Sequence, residues 1–243
     1  MNALILAGGF GTRLGVSGKT TPKGLLTHGK TALLEYILEE LKRTNSIRKI
    51  ALVTNARFYS VYKKWLQLFY PSLDVNVVND GVSQPDKRKG ALGDFVFSTT
   101  RLRWQGSDLL VTPSDTYFQF SFQKLIFFYE KRKAFTTVVR RFNDVSEIEN
   151  RLGCAVVKHD NIVEFIEKPK KAISHYAAIP FYIYPTNFVN RVKEYQKTGG
   201  NMDTPGSVIP WLLQKNIQVF AFQTTSTTLD VGTETDIRKL QQL

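Results

Sequence analysis

The sequence predicts an α/β fold with a mostly parallel sheet in one domain over residues 1–243, and three observations carry that prediction. Short apolar runs suited to strands buried on both faces alternate with stretches of helical periodicity. The first run, "ALILAGG", closes on glycines, as a buried strand does where it enters a tight loop. No repeat, low-complexity segment or Gly/Ser/Pro-rich linker breaks the 243 residues, a length able to bury a substantial core.

The elements follow in order. "TALLEYILEELKR" sets Leu34, Ile37, Leu38 and Leu41 at i, i+3, i+4 and i+7, the stripe of an amphipathic helix. Strands are expected at "KIALVT" (49–54), "DVNVVN" (74–79) and "DLLVT" (108–112), with helices between them over 57–69 and 91–102. A helix over 122–133 leads into the strand "FTTVVRRF" (135–142). "GCAVVKHDNIVEFIEKP" reads as a hairpin turning at Asp160-Asn161. The strand "AIPFYIYP", helices over 187–197 and 207–215, the strand "IQVFAFQT" and a helix capped by Thr233 complete the alternation.

Composition narrows the function. Hydrophobic residues at 42% and charged residues at 22% are ordinary for a soluble globular protein. The single cysteine, Cys154, excludes a disulfide framework, cannot hold zinc alone, and suits a reducing cytoplasm. The N-terminal apolar run, Ala3 to Ala7, is too short for a signal peptide, and no stretch reaches the ~18 apolar residues of a membrane span. A net charge of +12 points to anionic partners, yet the basic residues come in scattered twos and threes such as Lys87-Arg88-Lys89 and Arg140-Arg141. With no zinc-finger or RNA-recognition signature, the expectation is small phosphorylated substrates, with neither nucleic acid nor membrane as partner.

Two glycine segments compete for phosphate. "GLLTHGKT" (24–31) fits G-x-x-x-x-G-K-[ST] at every position. Such a loop must leave a buried strand, whereas "GVSGKTTPK" before it is polar and broken by glycines. Leu25 and Leu26 read instead as a short β segment packing inward, and Thr31 as the cap of the first long helix, which leaves Lys30 in an exposed turn. The loop that does leave a strand is "LILAGGFGTRLG". A dinucleotide fingerprint starting at Gly9 fails at Leu14. What remains is Gly8-Gly9 and Gly11-Thr12, whose backbone amides can approach a triphosphate, with Arg13 and Lys23 adding two cations. The three histidines, His28, His159 and His175, have no metal or relay spacing and read as surface or turn residues.

"LAGGFGTRLGVSGKTTPKGLL" resembles the opening signature of the nucleotide-sugar pyrophosphorylases, or sugar-1-phosphate nucleotidylyltransferases, L-A-x-G-x-G-[TS]-R-[LM] followed by P-K. Further blocks agree in order: "LLVTPSDTYF", "VEFIEKP" and "TLDVGTETDI", with looser likeness in "KGALGDF" and "NMDTPGSVIPWL". The resemblance runs nearly end to end. It implies a Rossmann-like three-layer fold of the nucleotide-diphospho-sugar transferase type, with a small β-hairpin insertion on the sugar side. It also implies an activity: a magnesium-dependent enzyme joining a nucleoside triphosphate to a sugar 1-phosphate and releasing pyrophosphate.

By the same resemblance, Leu6, Ala7, Gly8, Gly9, Gly11, Thr12 and Gly90 would contact the nucleotide, and Arg13 and Lys23 would be catalytic. Asp115 and Asp230 would hold Mg2+, and Gly153, Glu167 and Lys168 would contact the sugar phosphate. The chemistry is coherent, because two anions must meet in line and magnesium takes one or two carboxylates plus substrate phosphates. Base, sugar and homo-oligomeric state stay open. So do a cytidylyltransferase acting on phosphocholine or a polyol phosphate, and a catalytically weak regulatory paralogue. The chain departs from the family at Pro113-Ser114, where glycine usually precedes the metal aspartate, at Ala91-Leu92, and at Pro180, where glycine often lies near the sugar.

Overall fold

The computed structural model describes residues 1–14 and 20–243; residues 15–19, the middle of the glycine-rich signature, lie outside the described residues. The chain opens with β1 (Asn2–Ala7), the hairpin pair β2 (Thr27–His28) and β3 (Thr31–Ala32), then α1 (Leu33–Lys42). Next come β4 (Ile50–Thr54), α2 (Tyr59–Phe69), β5 (Val75–Asn79), α3 (Ala91–Arg101), β6 (Leu109–Pro113) and β7 (Thr116–Phe118). They are followed by α4 (Phe122–Glu130), β8 (Thr136–Arg141), β9 (Gly153–Lys158), β10 (Asn161–Ile166) and β11 (Tyr176–Tyr184). The chain closes with α5 (Phe188–Lys197), α6 (Val208–Gln214), β12 (Phe220–Thr224), β13 (Thr228–Asp230) and α7 (Glu234–Leu240).

The main sheet runs β5-β4-β1-β6-β11-β8-β12-β10-β9. Its first four strands are parallel, as are β8 and β12. Strand β11 runs antiparallel to both β6 and β8, so the sheet is mixed. Alternation along β1 builds the layers: Ala3 and Ile5 face the core formed with α1, α2 and α4, while Leu4 faces the core formed with α3, α5 and α6. Both faces of the central strands are therefore covered by helices. Among the described residues no helix is long and apolar enough to cross a membrane.

Several local readings shift. The β9–β10 hairpin turns at His159 and Asp160, one residue early, because those two residues take the positive φ values (46° and 65°) of the tight two-residue turn. Leu25 ends a single 3-10 turn, Lys23–Leu25, and is not in a β segment. Thr31 lies in β3 and does not cap α1; the N-cap is Ala32, whose N–H donates to Glu35 Oε1 at 2.7 Å. Thr233 does cap α7: its Oγ1 accepts from Asp236 N–H, and its own N–H donates back to Asp236 Oδ2 at 2.9 Å. The pair β7–β13, which the sequence reading lacks, matters most, because it lies beside the cleft.

Candidate active site

The cleft opens at the carboxyl ends of β1 and β6 and has a volume of about 570 Å³, the size of a small-molecule site. After β1 the chain bends at Gly8-Gly9. Asn55, just past β4, fixes the bend by donating from Nδ2 to the Gly8 carbonyl at 3.0 Å, while Thr54 Oγ1 donates to the Ala7 carbonyl at 3.1 Å. Gly11 takes φ +66°, and Leu14 N–H donates to its carbonyl at 2.9 Å, closing a 3-10 turn. That turn buries Leu14 and leaves Arg13 exposed on the cleft wall. Leu6, Gly8, Gly9, Gly11 and Thr12 line the same wall; the Ala7 methyl packs into the core.

A carboxylate pair forms the middle of the cleft. Strand β6 ends at Pro113, and Ser114 turns inward with its N–H on the Leu6 carbonyl at 3.0 Å. The β7–β13 ladder then sets Asp230 opposite Thr116, next to Asp115, and Val231 N–H donates to the Asp115 carbonyl. Lys23 Nζ donates to Asp115 Oδ2 at 3.0 Å. Burial alone would lower the Lys23 ammonium, but Asp115 and Asp230 outweigh it and hold it above its ordinary value. Burial, and after it the Asp115 carboxylate, pushes Asp230 up to about 6, with Lys23 and Lys168 pulling the other way. The Asp230 carboxyl still opens onto the cleft, where water moderates the shift.

Two neighbouring aspartates, with Asp230 raised in part by the Asp115 charge, are a donor set suited to one hard cation shared with substrate phosphates. No group of three or more metal-ligating side chains occurs among the described residues. The donor set therefore fits an ion that takes the rest of its shell from substrate and water.

Gly153, Glu167 and Lys168 line the far wall with Pro180, Tyr182 and Gly206. The Glu167 carboxyl is threaded between two glycines. A Cβ at Gly206 would run into Glu167 Oε2, and one at Gly153 would meet Oε2 at 3.0 Å and the Phe165 ring closer still. Burial raises the Glu167 carboxyl above its ordinary range, against Lys168 and a Thr204 hydrogen bond. Pro180 falls where the β11–β8 register breaks between Ile179 and Tyr182, so its missing N–H leaves the ladder intact.

The cleft also holds residues that the sequence reading did not single out. Arg88 and Asp203 form a bidentate ion pair across its rim, at 3.3 and 2.9 Å. Beneath them Gly90, at φ +76°, packs on the Met202 carbonyl, and the Ala91 and Leu92 N–H groups donate to the carbonyls of Asp203 and Met202. Arg151 reaches the cleft with its guanidinium on Asp236 Oδ1 at 2.8 Å. Asp80 and Asp94 line the cleft too, Asp94 beneath the glycine loop. The histidines lie outside: His159 is in the hairpin turn, His175 Nδ1 meets the Phe142 carbonyl, and His28 is half-buried against Tyr36 and Tyr117. Lys30 is exposed beside the β2–β3 turn, away from the cleft.

The family model described as nucleotidyl transferase matches residues 2–243. The chain is 26% identical over 241 residues to a mannose-1-phosphate guanyltransferase of Neurospora crassa, covering 97% of this chain and 62% of the relative. It is 27% identical over 247 residues to a glucose-1-phosphate adenylyltransferase of Mycoplasma mobile, covering 96% and 64%. It thus spans about three fifths of the length of these curated relatives. Among solved structures, a putative glucose-1-phosphate thymidylyltransferase of Bacillus anthracis superposes with TM-score 0.83 at 20% identity, covering 100% of this chain and 94% of the other. A UDP-glucose pyrophosphorylase complexed with UDP-glucose gives 0.81 at 17% identity, covering 99% and 97%. At those identities the superpositions speak to the fold, which is the nucleotide-sugar transferase fold with its hairpin insertion.

Proposed function

Because the chain belongs to the nucleotidyl transferase family, we propose that residues 1–243 act as one catalytic unit that makes a nucleotide-sugar and pyrophosphate from a nucleoside triphosphate and a sugar 1-phosphate. The observation that carries this reading is the Lys23–Asp115–Asp230 cluster, set between the glycine loop and the Glu167–Lys168 wall. Such an arrangement has room for an anion on each side of a metal-binding pair.

In this reading a phosphate oxygen of the sugar 1-phosphate attacks the α-phosphorus in line. A new P–O bond forms, the α–β bridging bond breaks, and pyrophosphate leaves with the electron pair. The backbone from Gly8 to Thr12 cradles the triphosphate, and Arg13 and Lys23 neutralise charge growing on the leaving group. Lys168 holds the attacking phosphate, while Glu167, fixed between its glycines, accepts from sugar hydroxyls. Asp115 and Asp230 would hold a magnesium ion, which when bound supplies charge neutralisation between the two phosphates. A carboxylate held this way favours a hydroxyl-rich acceptor over the phosphocholine alternative. The joint presence of Arg13, Lys23, Asp115 and Asp230 on the cleft favours an enzyme over a regulatory paralogue. The names of the relatives, acting on mannose and glucose 1-phosphates, support a hexose-type acceptor. We place the reaction in the cytoplasm, in keeping with the free, buried Cys154.

The test is a matrix of five nucleoside triphosphates against several sugar 1-phosphates, scored by pyrophosphate release with magnesium and with EDTA. At least one pairing should give magnesium-dependent release. Silence across the matrix would overturn the proposal.

A further inference from the structure

Two carboxyl groups at the nucleotide end of the cleft have no part in the reaction above. Asp80 follows β5 and Asp94 lies in the first turn of α3; they are 6% and 5% exposed, and both reach the cleft wall. Their carboxyls lie within hydrogen-bonding reach of each other. Asp80 Oδ1 accepts from Val82 N–H at 2.7 Å. Asp94 Oδ1 is fully buried and receives no hydrogen bond. Two buried acceptors that meet with no donor between them cannot both be ionised at modest cost; a proton between them removes the conflict.

The other oxygen of Asp94 faces the loop. Oδ2 lies so close under Gly8 that a Cβ there would run into it. Asn55 holds the Gly8 carbonyl from its own side at 3.0 Å, so the corner where strand becomes loop is gripped between Asn55 and Asp94. Lys89 is the cation that acts on both carboxyls, lowering each. Its ammonium also lies over the Phe97 ring, 5.2 Å from the centroid.

We propose that Asp80 and Asp94 share one proton, and that the resulting singly charged pair positions the glycine loop for nucleotide. The inference rests on the reading of that loop as the nucleotide site. Burial and then the Asp80 carboxylate push Asp94 up to about 8. Below that value the pair carries one charge and the loop stays seated. Above it two like charges face each other, and any shift of the Asp94 carboxylate disturbs the Gly8 backbone packed against its Oδ2. Nucleotide binding is therefore proton-linked. Asp94 and Asp80 are positioning residues in this scheme, since they act through the loop.

Calorimetric titration of non-hydrolysable analogues of the same five nucleoside triphosphates between pH 6.5 and 9 tests this on the wild type and on Asp94→Asn. The amide that this substitution introduces would supply its own donor to Asp80 and needs no shared proton. For whichever analogue binds, the wild-type Kd should weaken toward the limiting slope of about tenfold per pH unit above pH 8, while that of Asp94→Asn drifts by less than about threefold. Parallel profiles in the two proteins, or a flat wild-type profile, would overturn the proposal. Should Asp94→Asn fail to fold by circular dichroism, Asp80→Asn removes the same proton from the other side and carries the test.

If no analogue binds at any pH, the nucleotide reading falls, and the pair is judged on the unliganded chain. A carboxyl raised in the folded state contributes stability that is lost as pH rises from its ordinary 3.8 through about 8. The Tm of the wild type relative to Asp94→Asn should then fall across that window and level off above it. A difference independent of pH would refute proton sharing.

Discussion

Replacing Lys23 by methionine keeps the aliphatic stem and removes one charge, which makes it a clean probe of the cleft. The ammonium lies 3.0 Å from Asp115 Oδ2, with the two side chains only 16% and 19% exposed, so solvent screens the pair weakly. Without it, the larger of the two cationic effects that offset the Asp115–Asp230 repulsion is gone, and Asp230 should rise further from its value of about 6. The growing charge on the leaving pyrophosphate also loses a partner. Removing one preorganised donor from such a site costs about 2–4 kcal/mol, roughly 30- to 800-fold in kcat/KM. The assay is continuous pyrophosphate release at subsaturating substrate, with Lys30→Met beside it. Lys30 is exposed and outside the cleft, so that variant should stay within about twofold of wild type. A Lys23→Met enzyme near wild-type rate would remove Lys23 from the catalytic machinery, and an inactive Lys30→Met would restore the phosphate-loop reading of residues 24–31.

Three other variants have expected outcomes. Asp230→Asn should lower turnover at least about 100-fold, the cost of losing a charged metal ligand. The same change should flatten the stability–pH profile in EDTA, because a folded-state value raised to about 6 means native stability is lost as pH climbs from 3.8 through 6. Thermal unfolding at pH 5 and pH 7 measures it, and an unchanged profile would count against the carboxylate coupling. Gly206→Ala puts a methyl into Glu167 Oε2 and should raise KM for the sugar phosphate by about tenfold, a misplaced-contact effect, with nucleotide Kd unchanged. Lys168→Ala should also act on the sugar phosphate first, with magnesium affinity no weaker than wild type, since the lysine's field at Asp230 opposes a bound cation; loss of nucleotide affinity equal to that of Arg13→Ala would move Lys168 to the triphosphate side.

The long periodic elements were legible because burial dictates them. Leu34, Ile37, Leu38 and Leu41 form the buried face of α1, and the apolar runs of β1, β4 and β6 become the parallel centre of the sheet. The reversal of β11 in the middle of the sheet was not legible, since that strand is as apolar as a parallel one and carries no directional mark. Strands β7 and β13 have three residues each, below any period, yet their pairing is what brings Asp230 beside Asp115. Motifs marked most of the cleft lining. Asp80, Asp94, Arg88 and Arg151 escaped because an isolated charged residue looks solvated until the fold buries it or pairs it.

The proposed function stands on one step, attack of the sugar 1-phosphate on the α-phosphorus. The most direct measurement is a 31P NMR time course with an active nucleotide and a sugar 1-phosphate carrying 18O in its non-bridging phosphate oxygens. All the label should enter the nucleotide-sugar, including the new bridge between its two phosphorus atoms, while the pyrophosphate stays unlabelled and forms in equal amount. Label in the pyrophosphate, or pyrophosphate formed with free nucleoside monophosphate and no nucleotide-sugar, would contradict it.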